Sequence, residues 1–252
     1  QGMFRNPLVS PDILGVSAGA GLGAVMGIFF GLPLGWVQLL AFLGGLLAVM
    51  LVYVLASQVR RHDPVLVLVL AGVALGTLLG AAISLLKVLA DPYSQLPSIT
   101  FWLLGGLNGV SFADLAVAAP FMMLGLLPLW LLRWRVNLLS LSDEEAAALG
   151  LNITRTRLVL IAAATLITAS AVAITGIIGW IGLVIPHMAR LLIGPEFSRL
   201  LPASLLLGGS FLLLTDTLAR SLASIELPLG VLTALIGAPF FLLLLARGGA
   251  RT

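Results

Sequence analysis

The sequence predicts an all-α, polytopic bundle of transmembrane helices, and three observations support that prediction. Of the 252 residues, 60% are hydrophobic and only 9% are charged, whereas soluble domains carry about 25% charged residues. The mean hydropathy is +1.18. The apolar runs are too long and too uniform for membrane-barrel strands, in which lipid-facing and lumen-facing residues alternate. Helices are therefore the structure that satisfies the backbone polar groups in hydrocarbon.

Seven windows of about 20 apolar residues are each long enough to cross a bilayer as a helix. They lie at roughly 13–31, 34–57, 65–90, 112–132, 158–178, 200–220 and 228–246. An eighth apolar stretch, Gly179–Leu192, is shorter and contains Pro186. It fits a short span, a re-entrant segment or a kinked continuation of the preceding helix. No soluble domain boundary interrupts the chain, so residues 1–252 are expected to form one transmembrane domain.

The basic residues decide between these possibilities, because Lys and Arg accumulate in short loops on the cytoplasmic side. If Gly179–Leu192 crosses the membrane, eleven of the 13 basic residues share one side, and only Lys87 and Arg220 lie on the other. The eleven are Arg5, Arg60, Arg61, Arg133, Arg135, Arg155, Arg157, Arg190, Arg199, Arg247 and Arg251. Without that crossing, every later loop would invert and the pattern would be lost. The sequence therefore predicts eight crossings, with both ends of this chain in the cytoplasm.

The residue content argues against several other functions. Cysteine is absent, and the two histidines, His62 and His187, have no nearby cluster of His or carboxylate partners, so no metal site is expected. No basic stripe with interleaved aromatics indicates nucleic-acid binding. The phosphate-binding motif G-x-x-x-x-G-K-[ST] does not occur, and no nucleophile–base pair indicates an enzyme. We expect no cofactor in this chain.

Small residues follow the first predicted span: Gly15, Gly19, Gly21, Gly23 and Gly27. Glycine lets helix backbones approach closely where lipid offers no hydrophobic drive for association. The pattern predicts tight packing of this helix against its neighbours.

One long polar insertion, at about 142–157, separates two of the predicted spans. Ser142 followed three residues later by Glu145 is a capping box. Asp143 and Glu144 suit the positive N-terminus of a short helix. The insertion therefore predicts a short, well-capped helix on the cytoplasmic face.

A second short helix is expected directly after the first. Gly150 suits the left-handed position that ends a helix, and Asn152 or Thr154 can cap the helix that leads into the next span. Two such helices would form a rigid knob for a partner protein to grip. An ordinary structured loop is the alternative that the residues leave open.

The beginning of the chain carries the pattern N-P-L-x-x-P-x-x-L-G-V-S-x-G-A, which starts at Asn6. It resembles the iron–siderophore, haem and cobalamin permease family of type II ABC importers. Other stretches that resemble this family follow in order along the chain, at 70–76, 101–106, 182–187 and 226–231 with 237–239. Five ordered motifs make the resemblance specific, although each one alone would be weak.

The resemblance implies a permease of ten helices, of which this chain would lack the first two. It implies a homodimer in the bacterial or archaeal inner membrane that receives substrate from a periplasmic or lipid-anchored binding protein. Two cytoplasmic ATPase subunits would bind and hydrolyse ATP. The expected substrate is an iron–siderophore, haem, cobalamin or a related metal chelate.

The resemblance also assigns roles to individual residues. The family's coupling helices, which dock on the ATPase, match Asp143, Glu144, Glu145, Ala147, Gly150, Leu151 and Asn152. The cytoplasmic gate matches Asn6 and Leu8, with a companion loop at Pro64, Val65 and Leu66. That loop is small and polar in the cobalamin member, so its apolar residues here argue against assuming cobalamin as the substrate.

Arg220 matches an arginine at the periplasmic mouth of the family, where the binding protein docks. Its spacing of four from Asp216 also predicts an ion pair on one helix face. His187 matches a family position, and a structural role beside Pro186 is favoured for it.

A secondary transporter driven by an ion gradient is the main alternative. Such proteins more often carry carboxylates inside their helices and broken helices at the bilayer midplane. Asp114 and Asp216 are the candidate carboxylates, and both are expected near the membrane interfaces.

Overall fold

A computed structural model of the chain describes Met3 and residues 10–59, 64–222 and 227–248. Within these ranges every regular element is a helix, as the sequence predicts. A 3-10 helix at Pro11–Leu14 precedes the α-helices. These are α1 (Val16–Phe29), α2 (Leu34–Gln58), α3 (Pro64–Leu89), α4 (Gln95–Leu104), α5 (Phe112–Leu131), α6 (Arg133–Leu138), α7 (Asp143–Ala148), α8 (Ile153–Thr175), α9 (Ile181–Ile193), α10 (Phe197–Ser221) and α11 (Leu229–Gly248).

Five of the described helices are long and apolar enough to cross a membrane: α2, α3, α5, α8 and α10. Three shorter apolar segments, α1, α9 and Leu229–Leu243 of α11, coincide with the other predicted segments. The 14 residues of α1 rise only about 21 Å, less than the roughly 30 Å of a hydrocarbon core. The all-helical class is confirmed, and the count of eight crossings stays a prediction.

Helix α1 lies at the centre of the bundle, in contact with α2, α3, α4 and α8. The close packing that the glycine pattern predicts is present between α1 and α2. A Cβ added at Gly19 would overlap the carbonyl oxygen of Gly44, and one at Gly23 would overlap that of Leu40. The two backbones are therefore in direct contact, which only glycine permits there.

Helix α4 is an element that the hydropathy pattern does not predict. It has ten residues and contains Pro97, so a window of about 20 apolar residues misses it. Its Ile99 is fully buried in a cluster with Val25 and Ala90. The Gln95 Nε2 donates to the Phe29 carbonyl oxygen at 2.8 Å. These contacts fix α4 against the end of α1.

The turn before α4 is organised by Asp91. Its carboxylate accepts hydrogen bonds from the Ser94 hydroxyl at 2.8 Å, the Ser94 N–H at 2.8 Å and the Tyr93 N–H at 2.9 Å. These bonds lower the pKa of Asp91 below its ordinary value, and the bond from the Ser94 hydroxyl has the largest effect. The ionised Asp91 carboxylate thus stabilises the turn between α3 and α4. This turn follows the C-terminal end of α3, whereas Val65 lies at the N-terminal end of that helix.

Candidate coupling, gate and docking sites

The capping box predicted at the start of α7 is present. The Ser142 Oγ accepts from the Glu145 N–H at 3.2 Å, and the Glu145 carboxylate accepts from the Ser142 N–H at 3.0 Å. Two of the helix's otherwise unpaired N–H groups are satisfied in this way. A helix of six residues has little intrinsic stability, so these bonds define where it begins.

The turn after α7 fixes where that helix ends, as the capping box fixes where it begins. Gly150 takes φ +83°, and its N–H donates to Ala147 at 2.9 Å while the Leu151 N–H donates to Ala146 at 3.1 Å. This pair of bonds is a Schellman motif, in which a left-handed residue reverses the chain after a helix. Ala146 and Leu151 are both buried in one apolar cluster. Gly150 therefore has the conformational role that the sequence predicts.

The start of α8 completes the knob. Of the two caps that the sequence allows, Asn152 is the one used, since its Oδ1 accepts from the Arg155 N–H at 3.0 Å. The Arg157 guanidinium binds the Asp143 carboxylate in bidentate fashion, at 3.1 and 2.9 Å. This ion pair joins α7 to α8 across 14 positions. The sequence gives no local signal for it, because i, i+3 and i, i+4 spacings are the pairs that a helix pattern reveals.

The knob, defined as residues 142–157, rests on an apolar base and exposes a separate outer surface. Its base is the buried cluster of Val136, Leu139, Ala146, Leu151 and Leu160. On the outer surface Leu149 is 62% exposed, and Glu144, Ala147 and Ala148 are exposed as well. A rigid element with an apolar residue presented to solvent is suited to a protein partner.

The knob is also tied to the start of α10 through α6. The Asn137 side-chain oxygen on α6 accepts from the Phe197 N–H at 2.8 Å, and Phe197 packs against the base of the knob. Helices α8 and α10 therefore both begin at the same end of the bundle. Helix α6 itself is too short for the sequence pattern to reveal.

The candidate gate residues are described in part. Val65 and Leu66 form the first turn of α3, where Leu66 is exposed. Asn6 and Leu8 lie outside the described residues. The 3-10 helix packs on α3 less than two turns further along, since a Cβ at Gly72 would overlap the Ile13 carbonyl oxygen. The structure thus places the beginning of the described chain beside the helix that carries Val65 and Leu66.

Two of the motifs that carry the family resemblance meet at one point, which we call the glycine junction: Gly105, Gly176 and Gly230. The Gly106 N–H donates to the Thr175 carbonyl oxygen at 2.8 Å, and the Leu229 N–H donates to that of Gly105 at 3.0 Å. Gly105 and Gly176 take φ +67° and +68°. The ends of α4 and α8 and the start of α11 are therefore joined by backbone contacts.

Arg220 forms the ion pair that its spacing from Asp216 predicts. The guanidinium Nε and one terminal nitrogen contact the two carboxylate oxygens at 2.8 and 3.2 Å. The Arg220 side chain is 47% exposed and that of Asp216 is 20% exposed. The pair lies in the last turns of α10, at the opposite end of that helix from Phe197 and the knob. The Arg220 guanidinium is thus partly exposed at this end of α10.

The two candidate carboxylates of an ion-driven transporter have structural partners. Asp114 accepts from the Ser111 N–H and hydroxyl in the capping box of α5, at 2.9 and 2.6 Å. It also accepts from the Gln38 side chain at 2.8 Å. Asp216 is held by Arg220. His187 lies partly buried in α9, and in the described ranges no group of three His, Asp or Glu side chains could hold a metal ion.

Comparison with known proteins places this arrangement in one family. Residues 1–247 match the model of the FecCD transport family. The chain is 44% identical over 247 residues to the "Probable iron chelatin transport system permease protein" of Helicobacter pylori, covering 98% of this chain and 74% of that relative. It is equally similar, at 44% over 246 residues, to the cobalamin import system permease protein of Halobacterium salinarum, covering 97% of this chain and 66% of that relative.

A solved structure has the same architecture. It is described as an inward-facing conformation of a metal-chelate type ABC transporter, and it superposes with a TM-score of 0.91 at 40% identity, covering 98% of this chain and 80% of that one. The chain belongs to the FecCD transport family, whose members are multi-pass membrane permease subunits of ABC importers and not enzymes.

Proposed function

We propose that the chain moves a metal chelate, such as an iron–siderophore, haem or cobalamin, from a periplasmic binding protein into the cytoplasm. It acts as a homodimer with two ATPase subunits, which bind and hydrolyse the ATP. The observation that carries this proposal is the knob, a rigid element with an exposed outer surface on a chain of the FecCD family. Relatives named for iron chelatin and for cobalamin are equally similar, so the proposal extends to the chelate class and not to one substrate.

The knob supports a coupling role because a push on α7 has a short, stiff route into the membrane. The bidentate pair of Asp143 and Arg157 clamps α7 to the second turn of α8. Helix α8 then packs along α5, α2 and α1. A displacement of the ATPase surface would therefore move a helix that contacts the central α1, because packed interiors transmit strain.

The eight-crossing arrangement is supported by the path between α8 and α10. Helix α8 leaves the knob end and stops at the glycine junction, yet α10 begins again at the knob, where Phe197 contacts Asn137. This path supports an α9 that runs back between the two ends. Single-cysteine variants can test this, since the native chain has no cysteine. We expect a membrane-impermeant maleimide to reach positions 149 and 199 from one side and position 93 from the other, whereas labelling of 149 and 199 from opposite sides would contradict the arrangement.

The transport mechanism is tested by reconstitution. The permease would be placed in proteoliposomes with its partner ATPase and binding protein, and uptake of a panel of metal chelates measured. We expect uptake to require both ATP and the ATPase subunit. Uptake that follows a proton or sodium gradient in permease-only liposomes would instead establish the secondary transporter. The structural engagement of Asp114 and Asp216 favours the first outcome.

Binding-protein docking at Arg220 is tested with a charge reversal and a matched control. Removing one partner of a buried arginine–carboxylate pair at an interface costs about 2–5 kcal/mol, much of it from the charge left unpaired. We expect Arg220→Glu to weaken binding-protein affinity, with partial recovery from an acid-to-Arg change in the binding protein. Arg199→Glu is the control, because Arg199 is 76% exposed and paired with Glu196, the residue that precedes α10 at its knob end. Equal effects of the two variants on affinity would reject the docking role.

A further inference from the structure

A groove of about 390 Å³ lies between the end of α5, α6 and the first turns of α8, and it is formed partly by the knob itself. The residues that shape it fall into two sets. Its polar lining consists of Arg135, Asn152, Arg155 and Thr156, and its apolar lining includes Leu132 and Val159. The groove therefore has a basic part and an apolar part in contact with each other.

The charge in this groove is uncompensated by the described chain. Arg135 and Arg155 take part in no ion pair among the described residues. Of the three carboxylates nearest in sequence to Arg155, Asp143 binds Arg157 and Glu145 caps α7. The third, Glu144, forms no ion pair with Arg155 among the described residues. The N-terminus of α8 adds its partial positive charge beside Asn152. An anion is the ligand that these groups favour.

Thr156 also lines the groove, although its residue is only 6% exposed. Its hydroxyl is a neutral donor and acceptor beside the two arginines. A phosphate oxygen in the groove could accept a hydrogen bond from it.

The surroundings identify the source of that phosphate. Trp130 and Trp134, at the end of α5 and in α6, are both exposed, and the Arg133 guanidinium lies 4.5 Å from the ring centroid of Trp130. Exposed tryptophans at the end of a membrane span mark the headgroup level of the bilayer. Leu131, next to the groove, is 67% exposed. The groove thus lies at the end of α5, where the apolar surface that faces the lipid tails gives way to the headgroup region.

We propose that this groove binds the headgroup of an anionic phospholipid, with the phosphate held by Arg135 and Arg155 and the acyl chains along Leu132 and Val159. The inference rests on the proposed function for the position of the knob at the cytoplasmic membrane surface. Because Gly150, Asn152, Arg155 and Thr156 belong to both the groove and the knob, the bound lipid would contact the element that docks the ATPase. Basic pockets between transmembrane helices on the cytoplasmic side bind such headgroups in other proteins.

The test uses the complex of the permease with its ATPase, purified in a neutral detergent and titrated with phosphatidylglycerol or phosphatidylcholine. Bound lipid is counted by native mass spectrometry. We expect preferential binding of phosphatidylglycerol, about fivefold weaker in Arg135→Gln or Arg155→Gln and about 25-fold weaker in the double variant. Arg133→Gln is the matched control, since Arg133 lies on the same short helix but outside the groove, and it should bind as the wild type does.

Three results would overturn the inference. Equal binding of the two lipids by the wild type would remove the anion preference. Displacement of phosphatidylglycerol by an equal concentration of inorganic phosphate would assign the groove to a soluble anion. Loss of ATPase assembly in the single variants, with unchanged phosphatidylglycerol affinity, would assign it to the ATPase interface.

If the proposed function is wrong, the experiments give a different result from the three above. Gradient-driven uptake in the reconstituted system would reject the ABC mechanism, while arginine-dependent lipid binding would stand on its own. The single variants also keep the test decisive if the double variant does not fold, which its size-exclusion profile reports.

Discussion

The knob and the glycine junction are both meeting points of several helices, and they are held together by opposite means. In the knob, side chains make the contacts: a capping box, a bidentate ion pair and a buried apolar cluster. In the glycine junction, backbones make them, because the absence of side chains lets the ends of α4, α8 and α11 touch. A water-exposed connection can therefore be built from interactions that other side chains could replace, whereas a connection inside the bundle depends on the absence of side chains.

The largest expected effect follows from filling that space. Gly176 has φ +68° and ψ −165°, a region that is essentially restricted to glycine and costs other residues about 1–3 kcal/mol. A Cβ there would also overlap the Trp102 carbonyl oxygen, which adds about 1–3 kcal/mol of overpacking. We expect Gly176→Ala to lower the unfolding temperature in detergent sharply, as measured by fluorescence-detected size exclusion.

Gly179→Ala provides the control for this substitution. Gly179 lies in the same connection, but a Cβ there meets nothing within 4 Å, and its φ is not positive. It should therefore have little effect on the unfolding temperature. If the two variants unfold at the same temperature, the close backbone contact at Gly176 is not what holds the junction together.

The same contrast explains how far the sequence predicts the molecule. The capping box at Ser142 and the turn at Gly150 are local patterns, and both are present in the structure as predicted. The glycine junction joins residues 105 and 230, which no local pattern relates. The resemblance places family motifs around both positions, but only the fold shows that they touch. Helix α4 is missed for a related reason, since its ten residues are placed by tertiary packing of Ile99 and not by hydropathy.

A second, smaller effect is expected from breaking α7 itself. Proline at position 147 removes a backbone donor inside a helix of six residues and costs about 3 kcal/mol locally. Because α7 lies outside the spans, we expect Ala147→Pro to leave bundle stability nearly unchanged while hydrolysis is uncoupled from uptake. ATP hydrolysed per substrate transported is the quantity to measure.

Ala147→Gly is a milder change at the same position, since glycine costs only about 1 kcal/mol in a helix interior. Coupling should then fall between that of the wild type and that of the proline variant. Normal ATPase assembly and normal transport in Ala147→Pro would contradict the coupling role of α7, whatever the glycine variant does.

The smallest effect on stability is expected at the ion pair of Asp143 and Arg157. Their side chains are 52% and 18% exposed, so solvent screens much of the attraction, and exposed pairs contribute about 0.2–1 kcal/mol. A double-mutant cycle with Asp143→Asn and Arg157→Gln isolates the pair from the other contacts of each residue. We expect a coupling energy within that range, decreasing with added salt.

The effect of the same variants on function should exceed their effect on stability, and that disproportion is the sharpest test of the knob. The pair is a direct side-chain link between α7 and α8, so its loss would let α7 tilt on its apolar base without unfolding. Uptake per ATP should decline in both single variants. The double variant should show the same decline as each single variant, because all three lose the same ion pair. The pair of Glu196 and Arg199, within a single helix turn, is the control, since its removal cuts no link between helices. Additive losses in the Asp143–Arg157 double variant would show that the two residues act separately, and the ion pair would then be no part of the coupling route.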